Sequence, residues 1–248
     1  MVVFVISGAS YGLGLELVRQ ASHDDRNTVF ALVKSAKAAE RLAGFSSTRD
    51  NVHVYFESQE DRQAGYEIIA RDMSRTVSCV DILLHNVAWL GDCPGMQNFP
   101  RSDHQPNQIN DLQKFFSNHV LDTIQITNAF IPLFHRGSLK KVVTITSDQT
   151  FDSHSSGFDM GIAYAMVKAA LGMAVLRYSA IPELQRKGLI CATIECGPLD
   201  NSEQETQTDE HFEQIQKYVG EIFETMERLK RDYSGQCVKL RERDLITF

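Results

Sequence analysis

The sequence of 248 residues has few cysteines, and no two of the five form a C-x-x-C pair. They are scattered along the chain as Cys79, Cys93, Cys191, Cys196 and Cys237. An odd number of scattered cysteines argues against a disulfide framework or a zinc site, and favours reduced thiols in the cytoplasm. The histidines likewise lack the spacing of metal ligands, so we expect no bound metal.

Long apolar runs and an excess of positive charge are also missing. No stretch reaches the roughly 18 consecutive apolar residues of a membrane-spanning helix, and no signal peptide opens the chain. The formal net charge is −7, which argues against nucleic-acid or anionic-membrane binding through a basic surface. The sequence therefore predicts a soluble cytoplasmic protein without nucleic-acid or membrane partners.

What the sequence does contain is a regular alternation of short apolar runs with helical patterns. Val2–Ile6 is uninterrupted and rich in valine, as in a strand buried on both faces. Similar runs predict further strands at Val29–Val33, Val52–Phe56, Val80–Leu84, Val142–Ile145, Leu189–Ile194 and Gln236–Leu240. Helical patterns cover Tyr66–Met73, Asp111–Phe134, Ala163–Leu184 and a segment that ends at Leu229. This alternation predicts an α/β fold with one doubly wound, Rossmann-like parallel sheet of about seven strands flanked by helices.

A glycine-rich turn, SGASYGLG at Ser7–Gly14, joins the first strand to a helical segment. Glycines permit close backbone approach to a phosphate, and the N-terminus of the following helix favours an anion. The alternative is a plain tight turn. Three glycines in register between a strand and a helix favour the phosphate cradle.

Two polar residues follow predicted strands at the carboxyl ends, where ligands bind in a doubly wound sheet. Asn86 follows the fourth strand, and Lys34 follows the second. A basic residue after the second strand suits a 2′-phosphate, whereas an acidic one would pair with an adenine-ribose diol. Lys34 therefore favours NADP over NAD, and the alternative is a solvated surface lysine.

Tyr164 and Lys168 are four residues apart in a helical pattern, which predicts that they share one face. An ammonium about 4 Å from a phenol, at an effective dielectric constant of about 20, contributes roughly 4 kcal/mol, or about three pKa units. Such a shift would bring the phenol pKa towards about 7, where it can act as a general acid or base. Ser147, at the end of the fifth strand, could hold a substrate oxygen against the phenol. The alternative is an incidental pair, since Y-x-x-x-K alone is common.

With these residues in this order, the chain resembles the short-chain dehydrogenase/reductase family over essentially its whole length. SGASYGLG is similar to the family's TGxxxGxG motif, and YAMVKAAL is similar to its YxxxK helix. The final SGQCVKL segment is similar to the ending of fungal ketoreductase-like members. The resemblance implies hydride transfer between a nicotinamide and a substrate carbon. Tyr164 would move the proton, Ser147 would position the oxygen, and Lys168 would lower the tyrosine pKa and bind the nicotinamide ribose.

The resemblance also implies a set of cofactor-binding residues and an assembly. The residues expected to contact NADP (NADPH), or less favourably NAD, are Gly8, Ser10, Tyr11, Gly12, Leu13, Gly14, Lys34, Asn86, Tyr164, Lys168, Leu199 and Asn201. Family members often pair through helices that correspond to Asp111–Phe134 and Ala163–Leu184. A homodimer or homotetramer is therefore implied.

The sequence departs from the family pattern at four places. The family's NNAG reads HNVA at residues 85–88, and Cys196 and Asn201 replace a proline and a threonine of a later turn. His119 falls on the family's helical catalytic asparagine. It could hold a water in a proton relay to Lys168, or it could simply fill space.

Three functions remain open at this point. The first is an NADP-dependent oxidoreductase that reduces a carbonyl, or oxidises the alcohol, of a small apolar or polyketide-like substrate. The second is a redox-neutral cyclase, isomerase or dehydratase on the same scaffold, which His119, the altered HNVA and the polar loop Gly91–Asn110 favour. The third is a non-catalytic cofactor-binding protein with the acidic segment Asn201–Gln216 as its interaction surface. We expect a single dinucleotide-binding domain across residues 1–248, with a substrate loop near 91–110 and a flap near 200–216.

Overall fold

The computed structural model describes residues 1–56, 62–87, 108–147, 161–196, 209–240 and 245–246. Within these ranges the chain forms eight strands of one sheet: β1 Val3–Ser7, β2 Thr28–Val33, β3 Val52–Phe56, β4 Ile82–Asn86, β5 Lys141–Ser147, β6 Ile190–Cys196, β7 Cys237–Lys239 and β8 Leu245–Ile246. The strand order is β3-β2-β1-β4-β5-β6-β7-β8. Strands β1 to β7 are parallel, and β8 pairs antiparallel with β7. The predicted doubly wound sheet is confirmed, and β8 is an addition that no sequence pattern indicated.

Helices cover both faces of the sheet. The helices are α1 Gly12–Ala21, α2 Ala36–Ser46, α3 Arg62–Thr76, α4 Gln108–Phe116, α5 Asp122–Phe130, α6 Gly161–Ser179, α7 Pro182–Arg186 and α8 Asp209–Arg228. Side chains of each strand alternate between two core layers. In β1, Phe4 and Ile6 belong to the layer that contains α1 and α8, whereas Val3 and Val5 belong to the layer of α3 and α5. Burial on both faces explains why the strands appear as uninterrupted apolar runs.

The strand order reverses at β1, which lies between β2 and β4. In an open α/β sheet, the carboxyl ends of the strands at such a point leave a crevice that binds ligands. The loop after β1, Lys34 after β2 and Asn86 at the end of β4 all border this crevice. The topology therefore brings the predicted ligand-binding segments to one edge.

The helix predicted at Asp111–Phe134 is correct in position but is not uniform. A π-helical turn at Ser117–Leu121 separates α4 from α5, and a 3-10 turn at Ile131–Arg136 follows. The 3-10 turn contains Pro132, which lacks the N–H needed to continue an α-helix. The π turn contains His119, and such turns are frequent at functional sites.

Two other predictions are partly wrong. Residues 209–216, expected in a flexible flap, form the first turns of α8, because acidic residues near a helix N-terminus stabilise it. The helix predicted at Ala163–Leu184 ends at Ser179, because the residue before Pro182 is disfavoured in a helical conformation. The sequence of α6 is apolar nearly all round, yet Met166 and Met173 are nearly half exposed. Residues 200–208 and 91–107 of the predicted flap and loop lie outside the described residues.

The described helices include none that is both long and apolar enough to cross a membrane. Within the same residues, no three His, Cys, Asp or Glu side chains are grouped so as to hold a metal ion. The described cysteines, Cys79, Cys191, Cys196 and Cys237, are free thiols.

Candidate active site

A cavity of about 410 Å³ opens at the crevice between the ends of β1, β2 and β4. Its lining residues are Ser7, Gly8, Ser10, Tyr11, Lys34, Ser35, Lys37, Ala38, Asn86, Val87, Asn118, His119, Asp122, Thr123 and Ile126. The predicted site residues Gly8, Ser10, Tyr11, Lys34, Asn86 and His119 are among them. The structure thus brings together residues that the sequence places in four separate segments.

Two glycines of the turn are required by its own packing. Gly8 has a φ of +70°, and a Cβ added there would lie 2.2 Å from the Asn86 carbonyl oxygen. A Cβ added to Gly14 would lie 2.0 Å from the Gly8 carbonyl oxygen. The sequence predicted these glycines from close approach to a phosphate. In the structure, the close approach is between the turn and the end of β4.

The other glycine-turn residues differ in what they offer a ligand. Gly12 has a φ of +52° and begins α1, so its conformation also suits glycine. The Leu13 side chain is packed in the core at 1% exposure. Leu13 can therefore meet a ligand only through its backbone N–H, in the first turn of α1.

Asn86 is the best placed of the predicted cofactor residues. Its Nδ2 donates a hydrogen bond of 3.1 Å to the Gly8 carbonyl oxygen. Its Oδ1 is buried and accepts no hydrogen bond from the part of the chain that the structure describes. A buried acceptor without a partner is unfavourable. A hydroxyl group of a bound ribose would donate the missing hydrogen bond to Asn86 Oδ1. The wall of the cavity thus fits a nucleotide.

His85, beside Asn86, is a buried packing residue and not part of the cavity wall. Thr127 Oγ1 donates to the Thr123 carbonyl oxygen at 2.8 Å, so it accepts the 2.9 Å hydrogen bond from His85 Nε2. His85 Nδ1 is then the acceptor of a 3.0 Å hydrogen bond from Ser7 Oγ. The ring joins β1, β4 and α5, which explains the first departure from the family's NNAG motif.

Burial lowers the pKa of His85 from 6.5 to about 3, with a smaller effect from the Lys34 charge. In the unfolded chain His85 gains a proton below about pH 6.5, whereas in the folded protein it gains one only near pH 3. The free energy of unfolding therefore decreases as the pH is lowered through that window, by up to about 1.4 kcal/mol per pH unit. We expect His85→Asn to flatten this slope, measured as urea unfolding free energy between about pH 5 and pH 6.5. Parallel curves for the two proteins would show that His85 takes up no proton on unfolding.

His119 lies at the cavity within the π turn. Its side chain is buried, and its ring packs 4.2 Å from the Phe115 ring, centroid to centroid. Its Nδ1 donates a 2.8 Å hydrogen bond to the Phe115 carbonyl oxygen, which makes Nε2 the acceptor of the neutral ring. The structure therefore shows His119 filling space beside Phe115, and its role in a proton relay stays a prediction.

Lys168 is completely buried, at 1% exposure, on α6. Its Nζ donates a 2.9 Å hydrogen bond to the carbonyl oxygen of Val87, a cavity residue. Burial lowers the pKa of Lys168 from 10.5 to about 7, and the neighbouring Cys196 opposes this to a smaller extent. The ammonium is thus poised to lose its proton near neutral pH.

Four predicted residues are only partly described, or not at all. Ser147 ends β5, and Tyr164 lies on α6 one turn before Lys168, as the sequence predicted. Their side chains lie outside the described part of the structure. Leu199 and Asn201 lie outside it altogether.

Lys34 reaches the cavity but forms an ion pair that the sequence did not predict. Its Nζ lies 2.6 Å from Asp122 Oδ2 and 2.7 Å from the Asn118 carbonyl oxygen. Arg62 contacts the same carboxylate, with its NH1 2.9 Å from Oδ1 and 3.0 Å from Oδ2. The alternative of a merely solvated Lys34 is wrong. The pairing joins residues 60 and 88 positions apart, for which no local pattern exists.

Comparison with known proteins agrees with this geometry. The family model described as short chain dehydrogenase matches residues 2–229. The short chain dehydrogenase virK of Hypocrea virens is 27% identical over 236 residues, covering 94% of this chain and 85% of the relative. The short-chain dehydrogenase/reductase atnB of Arthrinium sp is 31% identical over 203 residues, covering 79% and 74%. These fungal relatives agree with the branch indicated by the SGQCVKL segment.

A solved structure of similar fold is the NADPH-bound carbonyl reductase from chicken fatty liver. It matches with a TM-score of 0.78 at 17% identity, covering 99% of this chain and 94% of that one. Identity at this level supports the fold and not the substrate. The family match over nearly the whole chain supports more: the protein is an oxidoreductase that belongs to the short-chain dehydrogenase family.

Proposed function

We propose that the protein is an NADPH-dependent carbonyl reductase, which also oxidises the corresponding alcohol. The observation that carries this proposal is the position of Lys168. It is buried one helical turn after Tyr164, and it donates a hydrogen bond to the carbonyl oxygen of the cavity residue Val87. A buried ammonium is unfavourable unless it has partners. A buried lysine with a strongly lowered pKa at a cleft is typical of a functional site.

The residues of the cavity fit a nicotinamide dinucleotide, which when bound would supply the hydride. The glycine turn with Ser10, Tyr11 and the first N–H groups of α1 would hold the pyrophosphate. Asn86 Oδ1 would accept a hydrogen bond from a ribose hydroxyl, and Lys34 would bind the 2′-phosphate. Leu199 and Asn201 would contact the nicotinamide end of the cofactor.

The chain itself would supply the proton. Tyr164 donates its phenolic proton to the carbonyl oxygen, and Ser147 donates a hydrogen bond that holds this oxygen in place. Lys168 stabilises the resulting tyrosinate and binds the nicotinamide ribose. His119 would hold a water that relays protons towards Lys168.

One argument for redox-neutral chemistry is weakened by the structure. The altered HNVA motif was one of its three sequence supports, beside His119 and the polar loop Gly91–Asn110. His85 is engaged in buried packing contacts with Ser7 and Thr127, so it has no access to a substrate. The contacts of His85 thus remove one of the sequence arguments for a cyclase or dehydratase.

The substrate class, the assembly and the location are parts of the same proposal. A small apolar or polyketide-like carbonyl compound is favoured by the similarity of the SGQCVKL segment to fungal ketoreductase-like members. A homodimer or homotetramer, built on one domain across residues 1–248, is supported by exposed apolar residues on α4, in the π turn and on α6. These residues are Ile109, Leu121, Met166 and Met173. The proposed location is cytoplasmic.

Titration with NADPH and with NADH, followed by the emission of Trp89, tests the cofactor proposal. Trp89 is the only tryptophan and stands three residues after Asn86 in the sequence. We expect NADPH to bind more tightly than NADH. Lys34→Ala should weaken NADPH binding by about 10- to 100-fold and leave NADH nearly unchanged, because a hydrogen bond to a charged group is lost.

Lys114→Ala is the matched control, because Lys114 is exposed on α4 and does not line the cavity. It removes the same charge and should leave both affinities unchanged. Equal weakening of NADPH and NADH by Lys34→Ala would contradict the assignment of Lys34. Failure of the unmodified protein to bind either nucleotide would contradict the reductase proposal itself.

A further inference from the structure

An ion pair between Lys34 and Asp122 lies at the wall of the cavity. Lys34 follows β2, whereas Asp122 begins α5, which packs beside β4. β1 lies between β2 and β4 in the sheet, and Ser7 at the end of β1 lines the same cavity. The 2.6 Å contact of Lys34 with Asp122 joins the segment after β2 to the start of α5, and both residues line the cavity.

The exposure of the three charged groups is unequal. The Asp122 side chain is 3% exposed, whereas those of Lys34 and Arg62 are 32% and 23% exposed. A buried carboxylate that loses every cationic partner is strongly destabilised. Arg62 contacts both oxygens of Asp122, so it can compensate this carboxylate after Lys34 departs. Lys34 is therefore the exchangeable partner.

We propose that Asp122 is an internal anion that competes with the 2′-phosphate of the cofactor for Lys34. This inference rests on the proposed function. When the 2′-phosphate binds, the Lys34 ammonium moves from Asp122 to the phosphate, and Arg62 remains with Asp122. Asp122 is thus a specificity-determining residue, and it limits the affinity gained from the 2′-phosphate.

The charges give the direction of the expected effect. Lys34 and Arg62 carry +1 each and Asp122 carries −1, so the group has a net charge of +1. A phosphate monoester carries close to two negative charges near neutral pH. Replacing Asp122 by the isosteric asparagine raises the net charge to +2 and frees Lys34 from its strongest partner. Ligands with a 2′-phosphate gain most from this change.

Calorimetric titration with adenosine 2′,5′-bisphosphate and with adenosine 5′-monophosphate tests the proposal. We expect Asp122→Asn to bind the bisphosphate about tenfold more tightly, equivalent to about 1.4 kcal/mol, with a much smaller gain for the monophosphate. Equal or weaker binding of the bisphosphate would overturn the proposal, because it would mean that Asp122 orients Lys34 for the ligand. An equal gain for both ligands would also overturn it.

Two further measurements test whether the effect of Asp122→Asn acts through Lys34. In a Lys34→Met background, Asp122→Asn should give almost no gain for the bisphosphate, and a persisting gain would contradict competition for Lys34. Asp72→Asn is the matched control. Asp72 is half exposed on α3, accepts hydrogen bonds from Tyr55 and Arg75, and does not line the cavity. The variant removes the same charge and should change neither affinity.

A second variant keeps the test decisive if Asp122→Asn does not fold. Arg62→Gln leaves Asp122 dependent on Lys34, so the carboxylate should retain the lysine and bisphosphate binding should weaken about tenfold. Unchanged or tighter binding would overturn the proposal.

These titrations need no hydride transfer. If the expected changes occur but no carbonyl compound is reduced, then the proposed function fails and the competition stands. If reduction occurs but the changes have the opposite sign, then only the competition fails.

Discussion

Replacing Lys168 with methionine is expected to lower kcat/KM for carbonyl reduction about 10³-fold. The change removes the charge that stabilises a tyrosinate at Tyr164, and it removes the donor to the Val87 carbonyl oxygen. Methionine is unbranched and apolar, so it suits a site with 1% exposure. Steady-state kinetics with NADPH and a reactive ketone measure the loss, and circular dichroism verifies the fold.

A second buried lysine provides the matched control. Lys141 begins β5 at the opposite edge of the sheet and donates to the Met226 carbonyl oxygen near the end of α8. Lys141→Met should lower the free energy of unfolding by about 1–3 kcal/mol, because buried carbonyl groups lose their donor. It should leave kcat/KM essentially unchanged. Equal losses of activity in the two variants would contradict a chemical role for Lys168.

The pH dependence gives an independent test of the same residue. The pKa of Lys168 is lowered to about 7, so the ammonium is lost as the pH rises through that value instead of near 10.5. We expect kcat/KM for reduction in the wild-type protein to fall above this pH, because Tyr164 then loses its cationic neighbour. Lys168→Met should lack this decline, and an identical decline in the variant would assign it to another group.

Gly8→Ala is expected to lower the free energy of unfolding by about 4 kcal/mol or more. The added methyl would lie 2.2 Å from the Asn86 carbonyl oxygen, and the φ of +70° is unfavourable for alanine. Relief of this clash must move the turn away from β4, which also displaces Asn86 from the cavity wall. Cofactor binding should therefore be lost in any variant protein that still folds. Urea unfolding and nucleotide titration measure the two effects.

Gly44→Ala is the control for this substitution. A Cβ added at Gly44, within α2, meets nothing within 4 Å. Alanine is the better helix former, so this variant should be more stable by about 0.5–1 kcal/mol. If Gly8→Ala were as stable as the wild type, then the turn would not require the geometry described above.

Local patterns predicted most of the fold because the strands are buried on both faces. The run at Val52–Phe56 matches β3 completely, and six other strands were found within two residues at each end. The π turn at Ser117–Leu121 was not found, because one extra residue per turn leaves the apolar pattern of α4 and α5 nearly unchanged. The strand β8 is two residues long, which is too short for a periodic signal.

In the candidate site, too, the sequence indicated some features and not others. Gly8, Asn86 and Lys168 belong to motifs that are contiguous or lie at strand ends, so the sequence pointed to them. The contacts of Lys34 with Asp122, and of His85 with Ser7 and Thr127, link distant segments through the topology of the sheet. No spacing rule connects such residues. The sequence therefore predicted the functional groups but not the partners that hold them.

The most direct test of the central claim is to follow NADPH oxidation and alcohol formation together on a panel of small apolar ketones. NADPH deuterated at the transferring position of the nicotinamide identifies the origin of the new hydrogen. We expect one NADPH to be oxidised per alcohol formed, with deuterium on the former carbonyl carbon of the product. Product formation without NADPH consumption, or without deuterium at that carbon, would contradict hydride transfer and would indicate redox-neutral chemistry in the same cavity.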